Sequence, residues 1–219
     1  MATAQQLTPS IVLETAASIV QAHGLESLTI RHLARALDAY PASIYHHIGD
    51  LHQLREAVCD EIVAGFHIPP VPIDHGAWHQ WIAEFAQGAR HVLRQHAGVF
   101  TFVARHGPTN PNQLRVIDAT MQVLVGAGLS HRTAAYTYGS IIYYVGNFAE
   151  REAQLDLENV DRDTMRAAFE KRAHDQGALL PGVAMAAPHF AAWDPDEAFR
   201  FGLDPILDWI ATATKANTQ

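Results

Sequence analysis

Cysteine occurs once in the 219 residues, as Cys59, and lysine twice, as Lys171 and Lys215. A single cysteine excludes an internal disulfide and any cysteine-built zinc module. With lysine so scarce, 13 arginines carry most of the fixed positive charge. Fifteen basic residues face 23 acidic ones, for a net charge of −8. Such a balance argues against charge-driven coating of nucleic acid. No run of about 18 apolar residues is present, so no membrane span is expected. Residues 1–8 carry neither the basic nor the apolar region of a secretory signal, and the expected compartment is the cytoplasm. Enzyme signatures are missing as well: there is no Gly-rich phosphate loop, no Gly-x-Ser-x-Gly elbow and no His-Glu-x-x-His. A non-enzymatic protein without a cofactor is expected. What the chain does have is 48% apolar residues, enough for a sizeable core in one large or two small domains, and 14 histidines.

The dominant hydrophobic period is 3.6, and no strand pattern is found, so the fold class is all-α. Thr8 reads as an N-cap with Pro9 in the first helical position, and Leu7 with Val12 forms a hydrophobic staple. His23-Gly24 ends that helix. A second helix starts at Thr29, with Leu28 and Leu33 as its staple. Asp38-Ala39 makes a tight turn into a third helix that opens on Pro41. Asp50 with Gln53 forms a capping box for a fourth, running to about Phe66. Residues 68–72, rich in proline, form a connector that no helix can cross. Beyond it, helices are expected at 75–96, 99–105, 111–126, 131–153, 162–175 and 195–213. Residues 177–193, rich in Gly, Pro and Ala and without period, read as a loop.

Three short helices with a four-residue turn between the second and third fit a helix-turn-helix, and equally a plain three-helix bundle. The residues themselves narrow the choice. The run Gly24-Leu25-Glu26-Ser27-Leu28-Thr29-Ile30-Arg31-His32-Leu33-Ala34, followed by Ser43-Ile44-Tyr45-His46-His47-Ile48, resembles the DNA-binding domain of the tetracycline-repressor (TetR) family over residues 8–66. A looser likeness continues in Gly126-Ala127-Gly128-Leu129-Ser130 and Phe201-Gly202-Leu203-Asp204. The resemblance implies a helix-turn-helix domain at 1–50 with a connecting helix at 51–66. It implies a ligand-binding and dimerisation domain at 67–219. It puts Arg31, Tyr40, Pro41, Ala42, Ser43, Tyr45, His46 and His47 at the DNA. Arg31 would offer its fork to a guanine edge, and Pro41 and Ala42 apolar contact to a thymine methyl. Ser43, Tyr45 and His47 are typed for phosphate oxygens; His47 fits local packing equally well.

Two departures stand out. Asp38 occupies a place where Gly is usual, and Asp tolerates a left-handed turn. Leu51 occupies, in a gapless reading, the place of a phosphate-anchoring Lys. Residues 1–50 hold Arg31 and Arg35 against Glu14, Glu26, Asp38 and Asp50, a sum of −2. Affinity for DNA is therefore expected to be weaker than usual for the family, with a shallow salt dependence.

The resemblance also implies a homodimer and a small-molecule effector. Gly139, Ile142 and Gly146 share a face of the 131–153 helix, and Phe199, Leu203, Ile206 and Ile210 form a stripe in the last helix. Together they read either as a two-fold four-helix interface or as packing within one subunit. A dimer would present two recognition helices to a near-palindromic duplex operator. Candidate pocket residues are Trp78, Trp81, Phe85, Phe102, His106, Tyr143, Tyr144, Asn147, Phe148 and Arg151, although any one aromatic serves equally as core. Asn147 and Arg151 are one turn apart in an apolar helix, and Phe190 with Trp193 would cover the pocket mouth. His75 and His79 have metal-ligand spacing but no third partner, so they read as surface residues and no metal is expected. The family's magnesium–tetracycline histidine falls near Ala104, with His106 nearby, so neither magnesium nor tetracycline is expected.

The expected function is a ligand-responsive transcriptional regulator, most simply a repressor. The alternatives are a TetR-like binding protein with weak or lost operator recognition, and an enzyme built on the helical C-terminal part. His23, His32, His46 and His47 would add positive charge near phosphate only in acid. Operator affinity in gel-shift titrations is thus expected to be higher at pH 6 than at pH 8; equal or reversed affinities would reject a histidine contribution.

Overall fold

A computed structural model describes residues 7–216, and every regular element among them is helical. Residues 1–6, which include most of the segment read as lacking a secretory signal, lie outside the described residues. Helix α1 (Pro9–His23) starts where Thr8 accepts a hydrogen bond from the Ile11 amide, and it stops at Gly24, whose φ of 73° favours glycine. Helix α2 (Ile30–Ala36) is capped by Thr29. Asp38 then takes a φ of 47°, the left-handed turn expected of it. Helix α3 (Pro41–Ile48) opens on proline and ends at Gly49. The capping box at α4 (Leu51–Ala64) is reciprocal: Asp50 accepts from the Gln53 amide at 2.8 Å, and Gln53 accepts from the Asp50 amide at 3.0 Å.

Beyond the proline connector lie α5 (Trp78–Arg94), α6 (Val99–His106), α7 (Pro111–Gly126), α8 (His131–Leu157), α9 (Arg162–Asp175), α10 (Pro181–Ala191) and α11 (Pro195–Ala216). Trp81 pins the connector by donating to the Pro69 carbonyl at 2.8 Å. The apolar core is continuous across it, from Val12 and Leu33 through Leu54 and Val58 to Phe85, Val145, Phe199 and Ile210. Among the described residues no helix is long and apolar enough to cross a membrane.

Helices α5 and α8 cross at the centre of the larger part. There Arg90 and Glu152, both nearly sealed from water, form two parallel hydrogen bonds of 2.7 Å. Arg90 also reaches Asp196 in the first turn of α11 at 2.8 Å, and its guanidinium lies over the rings of Phe148 and Phe199. Hydrogen bonding to Glu152 raises the guanidinium pKa further above its ordinary value, despite the opposing effect of burial. The lone thiol of Cys59 is buried, and that burial pushes its pKa up to about 12. It therefore stays protonated and unreactive at neutral pH.

One expectation is corrected. Residues 177–193 are not a loop; most of them form α10. Pro181 sits in the first turn, where its missing N–H costs nothing, and Pro188 is accommodated inside a short, mostly exposed helix. Hardly any of α10 is buried beyond Ala187, so no hydrophobic period was needed. Replacing Glu152 by Ala removes both 2.7 Å bonds and leaves the buried Arg90 cation with the exposed Asp196 alone, which should cost about 3 kcal/mol. Urea unfolding checks this; an unchanged midpoint would show that the pair holds nothing together.

Candidate nucleic-acid interface and ligand cavity

Helix α3 is held to α1 and α2 by Ile44, which is completely buried, with Ile48 packed against the same core, and Pro41 to Ser43, Tyr45 and His46 are left exposed. Tyr40, Pro41, Ala42, Ser43, Tyr45 and His46 are all exposed, and His47 is half-buried beside His46, their rings 5.5 Å apart. Arg31 is exposed in the first turn of α2, with no ion-pair partner among the described residues. Seven of the eight expected DNA-contact residues are thus exposed, on α2, at the N-cap of α3 and on α3 itself, while His47 is half-buried. Of the four histidines, His32 is engaged locally, its Nδ1 3.2 Å from the Ser27 carbonyl and its ring 5.6 Å from that of His23. Only His46 and His47 stand on α3.

Arg55 went unremarked in the sequence, because nothing in a helical pattern marks a cation that bends back. It donates to the carbonyls of Leu28 at 3.3 Å and Glu26 at 3.4 Å, and it pairs with the Glu26 carboxylate at 3.5 Å. It braces the turn ahead of α2. Leu51 is half-buried, and the next residue, His52, faces Glu56 at 3.5 Å. The mobile positive charge near α3 thus comes down to Arg31 and Arg35.

In the larger part the ten expected pocket residues do not converge. Trp78, Trp81 and Phe85 are buried along α5 and fill the core, with Trp81 stacked on Phe85. The Phe102 and His106 rings of α6 lie tilted against each other, and both meet the His52 ring of α4 at an angle. Tyr143 and Asn147 lie on the outer side of α8, where Asn147 donates to the Tyr143 carbonyl. Tyr144 donates to the Phe199 carbonyl at 2.8 Å and covers Gly202, where any Cβ would strike its ring. Burial pushes its phenol pKa up. Of the ten, Phe148 and Arg151 line the cavity between α8, α9, α10 and α11.

That cavity, about 550 Å³, lies between α8, α9, the end of α10 and the start of α11. Its walls are Phe148 and Leu155 from α8, Met165 and Phe169 from α9, and Phe190 and Trp193. Phe190 and Trp193, expected to cover a pocket built from those ten residues, instead line the wall of this different cavity. Met165 and Phe169 were missed, although an apolar pair four apart on an otherwise polar helix was a readable signal. A second hollow of about 600 Å³ is more polar. It sits where Gln21 and Ala22 of α1 meet His91 and Arg94 of α5 and Asp156 of α8. No group of three or more His, Cys, Asp or Glu among the described residues is placed to hold a metal ion.

Part of the expected interface stripe packs within its own subunit, as the alternative to an interface required. Phe199, Leu203 and Ile210 are buried in their own subunit, and Gly146 is occupied by the Phe100 ring. Gly139, Ile142 and Ile206 are half-buried. The outward apolar groups are instead Tyr136 and Tyr143 on α8 and Phe201 and Trp209 on α11. Helix α11 has apolar residues on both sides, and periodicity alone does not say which one turns inward.

Residues 71–214 match the family described as tetracyclin repressor-like, C-terminal domain. The chain is 28% identical over 197 residues to the class E tetracycline repressor of Escherichia coli, covering 90% of this chain and 87% of that protein. It is likewise 28% identical over 207 residues to the class A repressor from transposon 1721, covering 94% and 91%. Among solved structures, the Streptomyces coelicolor TetR family protein ActR in complex with actinorhodin superposes with a TM-score of 0.83 at 24% identity, covering 95% of this chain and 99% of that one. The all-helical fold with an exposed α3 is thus that of known regulators, and the chain belongs to the tetracycline-repressor family of DNA-binding transcriptional regulators.

Proposed function

We propose that the protein is a homodimeric repressor that holds a near-palindromic operator and releases it when a small apolar or aromatic molecule binds. Residues 1–50, with α4 as connecting helix, would be the DNA-binding domain, and 67–219 the ligand-binding and dimerisation domain. Arg31, Tyr40 to Ser43 and Tyr45 to His47 would meet DNA. The dimer would form through α8 and α11, by the face that carries Tyr136, Tyr143, Phe201 and Trp209. The cytoplasm is the compartment this function needs.

The observation that carries this reading is the double anchorage of α4. Near its start Arg55 grips the chain just ahead of α2. Farther along, the Asp60 carboxylate accepts from the amides of Asn112 at 3.1 Å and Gln113 at 3.2 Å, and so caps α7. The His52 ring also stands against Phe102 and His106 of α6. A shift of α6 or α7 is carried to α2 and α3 by a helix of 14 residues, roughly 21 Å long. Release requires the effector to bind one spacing of the recognition helices better than the other. Moving a 1:99 mixture to 99:1 takes about 5.5 kcal/mol of differential affinity. ActR, of the same fold, has been solved in complex with actinorhodin, which supports a ligand-responsive role for the fold.

A second reading, a family member with weak or lost operator recognition, is favoured by one observation. The first cation of α4, Arg55, is committed to the turn before α2. Selection from a random duplex pool, at low salt and without ligand, separates the two. The repressor reading predicts enrichment of a near-palindrome with half-sites about one helical turn apart; no enrichment would overturn it in favour of the second.

A further inference from the structure

We infer that the cavity beside α9 takes an organic anion, a flat aromatic carboxylate whose rings fill the apolar walls and whose carboxylate pairs with Arg151. This rests on the proposed effector-released function, takes this cavity as the effector's site, and adds the ligand's charge and shape.

The charges around the cavity leave one cation over. Arg90 is shared by Glu152 and Asp196, at 2.7 and 2.8 Å. Asp156 is shared by Arg94 and Arg162, both at 2.8 Å, and Arg94 lies 3.9 Å from Glu152. These six groups form one chain of alternating sign and sum to zero. Arg166 pairs with Asp163 at 3.6 Å and donates to the Trp193 carbonyl. Every charged group lining the cavity is therefore committed, except Arg151, which has no carboxylate within ion-pair distance among the described residues. In a chain of net charge −8, the one uncommitted charge at this cavity is positive. Arginine's planar fork matches a carboxylate with two parallel hydrogen bonds.

The walls fix the rest of the ligand. Met165, Phe169, Phe190 and Trp193 are all exposed large apolar side chains, and they converge on one hollow rather than scattering over the surface. The Phe169 and Phe190 rings meet edge to face, and Phe190 stacks on Trp193 at 22°, so flat ring faces and edges are offered together. A volume of about 550 Å³ is in the range of small-molecule sites and accommodates two or three fused rings. Helices α9 and α10 pack chiefly on each other, so the ligand would also join that pair to α8.

Calorimetric titration of the full chain with naphthoate and with its uncharged isostere naphthamide tests the inference. Naphthoate is expected to bind about tenfold more tightly, the worth of a charge-assisted hydrogen bond. Arg151→Gln should bring naphthoate down to the naphthamide level and leave naphthamide unchanged. Arg151→Lys should restore part of the preference, and Phe169→Ala should weaken both probes alike. Arg151 is exposed, so its variants should melt with the wild type. Equal binding of the two probes to the wild type, or a preference that survives in Arg151→Gln, would overturn the anion inference and leave the cavity as a ligand site. No binding of either probe would overturn both.

Discussion

The larger part of the molecule is organised around the Arg90–Glu152 pair. Removing two charges from water costs several kcal/mol per ion, and only close geometry repays it. Here the geometry is close: two bonds of 2.7 Å, a third partner in Asp196, and two aromatic rings against the guanidinium. Apolar replacement of such a pair is often neutral or stabilising, but here its bonds tie α5, α8 and α11 together. With α8 held in that register, Phe148 and Glu152 face the cavity and Tyr144 reaches the carbonyls of Ala198 and Phe199. The same register turns Tyr136 and Tyr143 outward.

Contacts of the same kind run from the cavity wall toward the turn before α2. Glu152 belongs both to the cavity wall and to the clamp on α5. The start of α6 is tied to α8 through the Gly98 amide, which donates to Glu150. From α6 and α7 the path continues into α4 through His52 and Asp60, and from α4 into the turn before α2 through Arg55. Each link is a polar bond or ring contact between otherwise apolar helices. That makes a two-position mechanism physically reasonable, because packed interfaces switch between discrete arrangements rather than deform smoothly.

Local signals in the sequence were the readable ones. Thr8 before Pro9, Thr29, the Asp50 and Gln53 box and the left-handed Asp38 each act within four residues, and each took its expected place. The outward face of α3 followed from Ile44 alone. Relations between distant segments were not readable. Arg90 and Glu152 are 62 positions apart, and Asp60 caps a helix that starts about fifty residues later. Nothing local says that Phe199 turns inward and Phe201 outward, because both sides of α11 are apolar. The cavity was half-seen: Phe148, Arg151, Phe190 and Trp193 were named, while the buried α5 aromatics drew attention as the largest rings. Helix α10 escaped because propensity argues against Pro188 and nearly nothing on that helix is buried.

The central claim is that a ligand in the cavity changes the separation of two recognition helices. The buried thiol of Cys59, its pKa about 12, lets a single exposed label be placed by Ala42→Cys without a second site competing. Pulsed electron-spin distance measurement between the two labelled α3 helices of the proposed dimer, with and without saturating naphthoate, reads the separation directly. A change of several ångströms on binding is predicted. Saturated dimers whose label distance is unchanged would contradict the coupling, whatever the ligand's affinity.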